Sequence, residues 1–249
     1  MKHAFIPDTQ IHEGTNTDHI VAAGNYLAAK QPDKIIMIGD WWDMPSLSSY
    51  DKAGSEGWEG KDTKQDFDSG VQAMADFLRP IKKVRSYKPK MYFCMGNHEN
   101  RVARARQDPD NRKFKSFLSD SNFRLKEFGW KVIPFLQPVV LDGIAYAHYF
   151  TSGVMDRALG GQAQTKLKNL NMSFSMGHQQ DYQIGTIYNA LGERLRGLVC
   201  GSFYSHDEDY ISSQGNKRAW RGMIMKHEVK HGDYDLMEVS LDYLVKNWS

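Results

Sequence analysis

Carboxylate, amide and imidazole residues recur in short clusters, each directly behind an apolar run. The clusters are Asp8-Thr9-Gln10, Gly39-Asp40-Trp41-Trp42-Asp43, Gly96-Asn97-His98-Glu99 and Gly177-His178-Gln179-Gln180, and His148 closes a further run. Oxygen and imidazole donors in this mixture suit first-row divalent cations. A lone Asp or His after an apolar run is most often a cap or a turn residue. Five such groups carry chemistry only if the fold brings them to one edge.

That requirement is met by strands whose C-terminal ends line up. Runs 3–6, 34–38 and 90–95 are predicted as strands, with helices over 17–29, where Thr17 is the N-cap, and over 64–84, which Pro80 kinks or divides. Strand–helix–strand alternation with polar residues at the strand tips predicts an α/β sheet with its site along one edge. Further strands are predicted at 139–141, 144–147, 173–176, 198–202, 221–228, 234–240 and 243–245, and one helix follows Gly160-Gly161 through Leu170. Asp142-Gly143 and His231-Gly232-Asp233 read as hairpin turns. The second half is therefore richer in β-structure and is expected to form a second sheet packed on the first. No repeat, low-complexity tract or linker interrupts the chain, so residues 1–249 are read as one domain. Segment 44–62 has no sustained period and is either a lid or substrate-selecting loop or a plain excursion.

Composition narrows the classes. The 249 residues are 41% hydrophobic and 25% charged, which suffices for one large core. With 32 Lys+Arg against 30 Asp+Glu the formal charge is only +2, which argues against a nucleic-acid coat protein or a polybasic membrane binder. The two cysteines, Cys94 and Cys200, lie in apolar runs and read as core residues rather than as a disulfide or zinc site. No run approaches the ~20 apolar residues of a membrane span, and the N-terminal run is too short for a signal peptide. A cytoplasmic protein is expected.

In this order, Asp-x-(His or Gln), Gly-Asp-x-x-Asp, Gly-Asn-His-Glu, His and Gly-His-x-(His or Gln) resemble the calcineurin-like metallophosphoesterase superfamily, with Gly-Asn-His-Glu the most specific element. The motifs run from Asp8 to Gln180. The Asp8-Thr9-Gln10 form, the stretch from Met44 to Asp51 and Trp220-Arg221-Gly222 are similar to uncharacterised phage and prophage members. The resemblance implies an α/β four-layer sandwich, two central mixed sheets flanked by helices, with two divalent metals at strand ends. It implies that Asp40 bridges the metals, that Asp8 with positions 10 and 180 serves the first and that Asn97, His148 and His178 serve the second. The nucleophile would be a metal-bound hydroxide, the metals sitting about 3.5–4 Å apart. His98 would be the general acid, with Asp43 holding the other ring nitrogen.

The chain departs from the superfamily pattern at Gln10 and Gln180, where histidines usually complete the first metal. An amide oxygen is a harder donor than imidazole, which favours Mn²⁺ or Mg²⁺, with Fe²⁺ also admitted, over Zn²⁺. The alternative is a weakened or lost first site, which His12 could then approach. Arg101 and Arg104 fall on one face of a helix start aimed at the site and either contact a substrate phosphate or form a solvated basic face. Arg112, Lys113, Lys115, Lys82, Lys83, Arg85 and Lys88 read as solvent-facing. Tyr204, His206, Asp207, Asp209, Tyr210, Trp220 and Arg221 either line the substrate's outer group, with His206 and Arg221 as its contacts, or are sheet residues. His19, His227 and His231 read as surface or satisfied core residues. The expected activity is phosphoester hydrolysis, weakly favoured as a phosphodiesterase or nuclease on nucleotide or nucleic acid. A phosphomonoesterase and a non-catalytic metal-binding protein with a degraded first site are the alternatives. Met44, where protein phosphatases of the superfamily carry Arg, counts against a phosphoprotein substrate.

Overall fold

The computed structural model describes residues 1–48, 61–206, 214 and 219–249. Strands β1 (His3–Ile6), β2 (Lys34–Met37), β3 (Lys90–Cys94) and β4 (Lys131–Ile133) lie side by side and parallel. The chain then builds a second sheet from β5 (Val139–Leu141), β6 (Ile144–Tyr146), β9 (Phe174–Met176), β10 (Gln183–Tyr188) and β11 (Arg194–Val199), with β7 (Thr151–Ser152) and β8 (Arg157–Ala158) forming a small separate hairpin. Its strand order is β10-β11-β9-β6-β5, and β6, β9 and β11 are mutually parallel. Strands β12 (Gly222–Lys230) and β13 (Asp233–Ser240) return to the free edge of β1 and complete a mixed six-stranded sheet.

Side-chain alternation along the strands explains the layering. In β2, Ile35 and Met37 join one core cluster, with the residues of α1 (Asp18–Lys30) and α2 (Thr63–Lys83). The alternating Ile36 and Ile38 join another, with Tyr146, Leu198 and Cys200 of the second sheet. Phe174, Met176 and Val199 point away from that interface and pack on Ala163 and Leu167 of α5 (Ala163–Leu170). Both faces of each sheet are thus covered, and the result is a layered α/β sandwich. Cys94 and Cys200 are buried thiols, as expected of core residues. No helix among the described residues is long and apolar enough to cross a membrane.

Several sequence expectations need correction. Residues 243–245 are helix rather than strand: Ser240 caps α6 (Leu241–Trp248) by accepting from the Tyr243 N–H, and Leu241 and Leu244 are buried at helical spacing. Pro80 does not divide α2, because it falls in the final turn and Ala73, Phe77 and Ile81 bury one continuous stripe past it. Thr17 occupies the N-cap of α1 without making a side-chain cap bond. Strands β4, β7, β8 and β10 went unpredicted, being short or half-exposed. Both hairpin turns form, with positive φ at Asp142 and Gly143 (51° and 87°) and at His231 and Gly232 (51° and 85°). Of segment 44–62, Pro45–Leu47 is a 3₁₀ turn, and residues 49–60 lie outside the described residues.

A polar chain crosses the space between the sheets. Asp142 takes an ion pair from Lys34 and a 2.7 Å contact from His3 Nε2; His3 Nδ1 lies 2.9 Å from the Tyr146 hydroxyl, which accepts from Lys226 Nζ at 3.1 Å. Lys226 is fully buried, and burial drives its amine well below the ordinary lysine range. Burial likewise pushes His3 and His19 down to about 4, and His19 Nε2 lies 2.9 Å from the Phe203 carbonyl. The unfolded chain binds protons at these histidines from about pH 6.5, whereas the folded chain does so only near 4. The contribution of these two histidines to stability is therefore full above pH 6.5 and falls by about 1.4 kcal/mol per pH unit per histidine between those limits. Urea midpoints at pH 7 and pH 5 check this. His19→Asn should flatten the slope, and an unchanged slope would refute the assignment.

Candidate metal centre

The C-terminal ends of β1, β2 and β3 meet those of β6 and β9 at one edge of the sandwich. Asp8, Asp40, Asn97, His148 and His178 follow these strands in that order. Donor atoms of Asp40, His148 and His178 all lie within 4.8 Å of one another. His148 Nδ1 donates to the Ile38 carbonyl at 3.0 Å, which leaves Nε2 facing Asn97 Oδ1 at 2.9 Å and Asp40 Oδ2 at 3.2 Å. One ring nitrogen carries at most one proton for two acceptors. Carboxylate, amide oxygen and imidazole closing on one point fit a divalent cation. Asp8 is fully buried, and both its oxygens accept from the His178 N–H at 3.1 Å, which ties the two sheets together.

The backbone is bent to make this convergence. Gln10, Asp40, His178 and Gln180 all take positive φ, at 48°, 50°, 67° and 59°, a region that non-glycine residues seldom occupy and that clusters at functional sites. Two motif glycines are required sterically. A Cβ on Gly96 would stand 2.1 Å from Asp40 Oδ1, and one on Gly177 would stand 2.2 Å from Asp8 Oδ1.

Glu99 fixes the Asp40 loop. Its buried carboxylate accepts four backbone N–H groups: Oε2 from Gly96 at 2.7 Å and Asp40 at 2.9 Å, Oε1 from Trp41 at 2.8 Å and Trp42 at 3.1 Å. Glu99 closes the Gly96-Asn97-His98-Glu99 motif, a position to which the motif alone assigns no role. An acid directly after the Asn-His pair was the signal.

Electrostatics follow from burial against pairing. Burial pushes Asp8 up to about 7. Asp40 is equally buried, yet the adjacent His148 and His98 hold it well below the carboxylate range. Burial lowers His148, but the Asp40 carboxylate outweighs it and raises the ring to about 9. His178 is pushed down to about 4 by burial and by the charge of His148.

His98 is buried beside this cluster. Its backbone N–H donates to Asp40 Oδ1 at 2.9 Å, and its Nδ1 stands 2.8 Å from Asp43 Oδ1, an ion-pair distance approached off the line of a regular hydrogen bond. Burial lowers the ring's proton affinity, but Asp40 and Asp43 more than restore it, so it is raised overall. Arg101, in the first turn of α3 (Asn100–Gln107), points inward. Its guanidinium donates to the Asp43 and Met44 carbonyls at 2.8 and 3.2 Å and to His98 Nε2 at 3.1 Å. Arg104, three residues on, is exposed, and its charge reaches Tyr149.

On the other side, Gln10 is buried and its N–H donates to the Asp40 carbonyl at 2.9 Å. Gln180 Oε1 accepts from the buried Tyr204 hydroxyl at 2.7 Å. The His206 ring stacks on Tyr204 at 4.5 Å, the Arg221 guanidinium lies 5.4 Å from the Tyr204 centroid, and His12 meets His206 edge-on at 5.7 Å. Trp220 instead stacks on Tyr182 at 4.7 Å. Asp207, Asp209 and Tyr210 lie outside the described residues. Arg112, Lys113, Lys115, Lys82, Lys83, Arg85 and Lys88 are exposed; His19 is a satisfied core residue, His227 is half-buried and His231 is exposed. Tyr149, whose ring lies 4.6 Å from that of His178, was missed, although it directly follows His148.

Comparison with known proteins finds no matching protein family and no matching curated protein. The geometry alone therefore bears on function. Glu99→Gln offers one acceptor oxygen where the carboxylate offers two, and orphans buried N–H donors of the Asp40 loop at about 1–3 kcal/mol each. Urea denaturation should show a loss of about 2–4 kcal/mol. A loss below about 1 kcal/mol would mean that the loop holds itself.

Proposed function

We propose that this protein is a divalent-metal-dependent phosphoester hydrolase of the calcineurin-like metallophosphoesterase type. The observation that carries the proposal is the convergence of Asp40, His148 and His178 within 4.8 Å beside a buried His98 paired with Asp43. Asn97, which meets the Nε2 of His148, and Asp8, which meets the His178 N–H, would complete the oxygen donors. Divalent cations held there would neutralise phosphoryl charge and activate water. His98 supplies the proton to the leaving oxygen from Nε2, oriented by Asp43. A phosphoryl group entering beside the ring competes for the Arg101 guanidinium and frees that nitrogen. His206 and Arg221, flanking Tyr204 beside Gln180, and the exposed Arg104 are the contacts for the ester's remaining groups. The amide donors Gln10 and Gln180 favour Mn²⁺ or Mg²⁺ over Zn²⁺. A phosphodiester of a nucleotide or nucleic acid remains the favoured substrate, in a cytoplasmic protein of phage type.

A second reading rests on the 2.7 Å hydrogen bond that occupies Gln180 Oε1. An amide oxygen already engaged by Tyr204 is a weaker ligand, so the first site is lost and the chain is a one-metal binder.

Hydrolysis of bis-p-nitrophenyl phosphate and p-nitrophenyl phosphate in Mn²⁺, Mg²⁺ and Zn²⁺ tests the proposal. Activity is expected with Mn²⁺, little with Zn²⁺, and none in Asp40→Asn. Turnover equal in Zn²⁺ and Mn²⁺ would refute the ligand argument, and silence with every metal would refute the enzyme. His98→Ala should lower turnover by about 10²–10⁴-fold with metal content unchanged. Metal loss in that variant would make His98 a ligand. Elemental analysis separates the readings, two ions per chain supporting the hydrolase and one the binder.

A further inference from the structure

A cavity of about 760 Å³ lies outside the metal centre, within the size range of small-molecule sites. It is bounded by the first turn of α3, by the short helix α4 (Leu125–Phe128) and by the end of β4. Its apolar wall consists of Met95, Ala103, Leu125, Val132, Pro134 and Phe135.

Most of the charges around it are already engaged. Arg124 is paired with Glu127 at 2.7 Å, and the Glu99 carboxylate is consumed by its four backbone N–H groups. Asp120 and Lys126, one of each sign, remain at the rim. Neither an anion nor a cation gains from entering, whereas an apolar body gains by leaving water, and Asn100 and Ser121 offer neutral polar groups to orient it.

The wall has two faces. Asn100 and Ala103 of the first α3 turn line the cavity, while Arg101 between them holds His98, Asp43 and Met44 from the other side. Glu99 lines the cavity as well and anchors the Asp40 loop. From this geometry we infer that the cavity is a second ligand site, for a neutral, largely apolar small molecule, and that its occupancy is coupled through this turn to the metal centre. The site itself stands without the proposed hydrolysis; the coupling rests on it.

The probe is N-phenyl-1-naphthylamine, a neutral apolar dye that fluoresces when it leaves water. Titration into the full chain should show saturable binding with one site per chain. Ala103→Trp fills the cavity and should abolish binding, and Ser121→Trp blocks it from the exposed rim should the first variant fold poorly by circular dichroism. Absence of saturable binding, or equal binding in both variants, overturns the site. In the Mn²⁺-dependent ester assay, saturating dye should change the rate at least twofold in the wild-type chain and not in Ser121→Trp. An unchanged wild-type rate with dye bound overturns the coupling. Saturable dye binding with no ester hydrolysis at all overturns the hydrolase, and the coupling with it, but leaves the site.

Discussion

The centre depends on one buried carboxylate that is not itself among the converging donors. Glu99 gathers four backbone N–H groups, three of them from consecutive residues, Asp40, Trp41 and Trp42. Consecutive N–H groups can point at one carboxylate only if the chain turns sharply, and Asp40 at a φ of 50° supplies the turn. Each donor would otherwise be orphaned in the core, and together the four cost more than the strain of one left-handed residue. The same turn delivers the Asp40 side chain to His148 and to the His98 N–H. Gly96 is fixed by the same geometry, since any side chain there would strike Asp40.

Around that anchor the titratable groups sort by partner. Asp8 and Asp40 are both fully buried, yet one is raised and the other lowered: at Asp40 the charges and hydrogen bonds of His148 and His98 outweigh burial, whereas at Asp8 burial and the neighbouring Asp40 charge outweigh His148 and the His178 N–H. Buried carboxylates this close to each other are stable only beside positive charge. Here the charge comes from His148, whose Nε2 stands between two acceptors, the arrangement that a cation would satisfy. At the other end of the inter-sheet space, Asp142, His3 and Lys34 hold a second charged group, and no donor cluster of the metal-site kind forms there among the described residues.

Much of this was legible in the sequence, and the reasons for the rest are physical. Strands β1, β2 and β3 and both hairpin turns were readable because strand period and turn chemistry are local. The polar clusters could be placed at strand ends for the same reason. Residues 243–245 misled because Tyr-Leu-Val has strand propensity, and only the buried spacing of Leu241 and Leu244 reveals the helix. Strand β10 escaped because its residues are mostly half-exposed and show no clean alternation. Lys226 lies within the predicted strand 221–228, with nothing local to mark it as buried. Its burial depends on Tyr146 and Ser175, 80 and 51 residues away, which no local pattern encodes. Helix geometry left Arg101 as either a phosphate contact or part of a solvated basic face, because the direction it takes depends on the Asp43 and Met44 carbonyls presented by another loop.

Gln180 shows how far its surroundings shape a motif side chain. Histidine at position 180 would offer a ring nitrogen, whereas glutamine offers an oxygen already met by the Tyr204 hydroxyl. That hydroxyl is held in place because Tyr204 is fully buried and stacked against His206. A hydrogen bond to an amide oxygen draws electron density toward the donor and fixes the carbonyl direction, so the aromatic layer sets the orientation and the donor strength of Gln180. The side with two imidazoles, His148 and His178, is instead oriented by the Ile38 carbonyl and the Tyr149 ring. His148 is thus held by backbone, whereas His178 and Gln180 are each met by an aromatic side chain. A substitution in the Tyr204 layer would act on the glutamine side while leaving the histidine side in place.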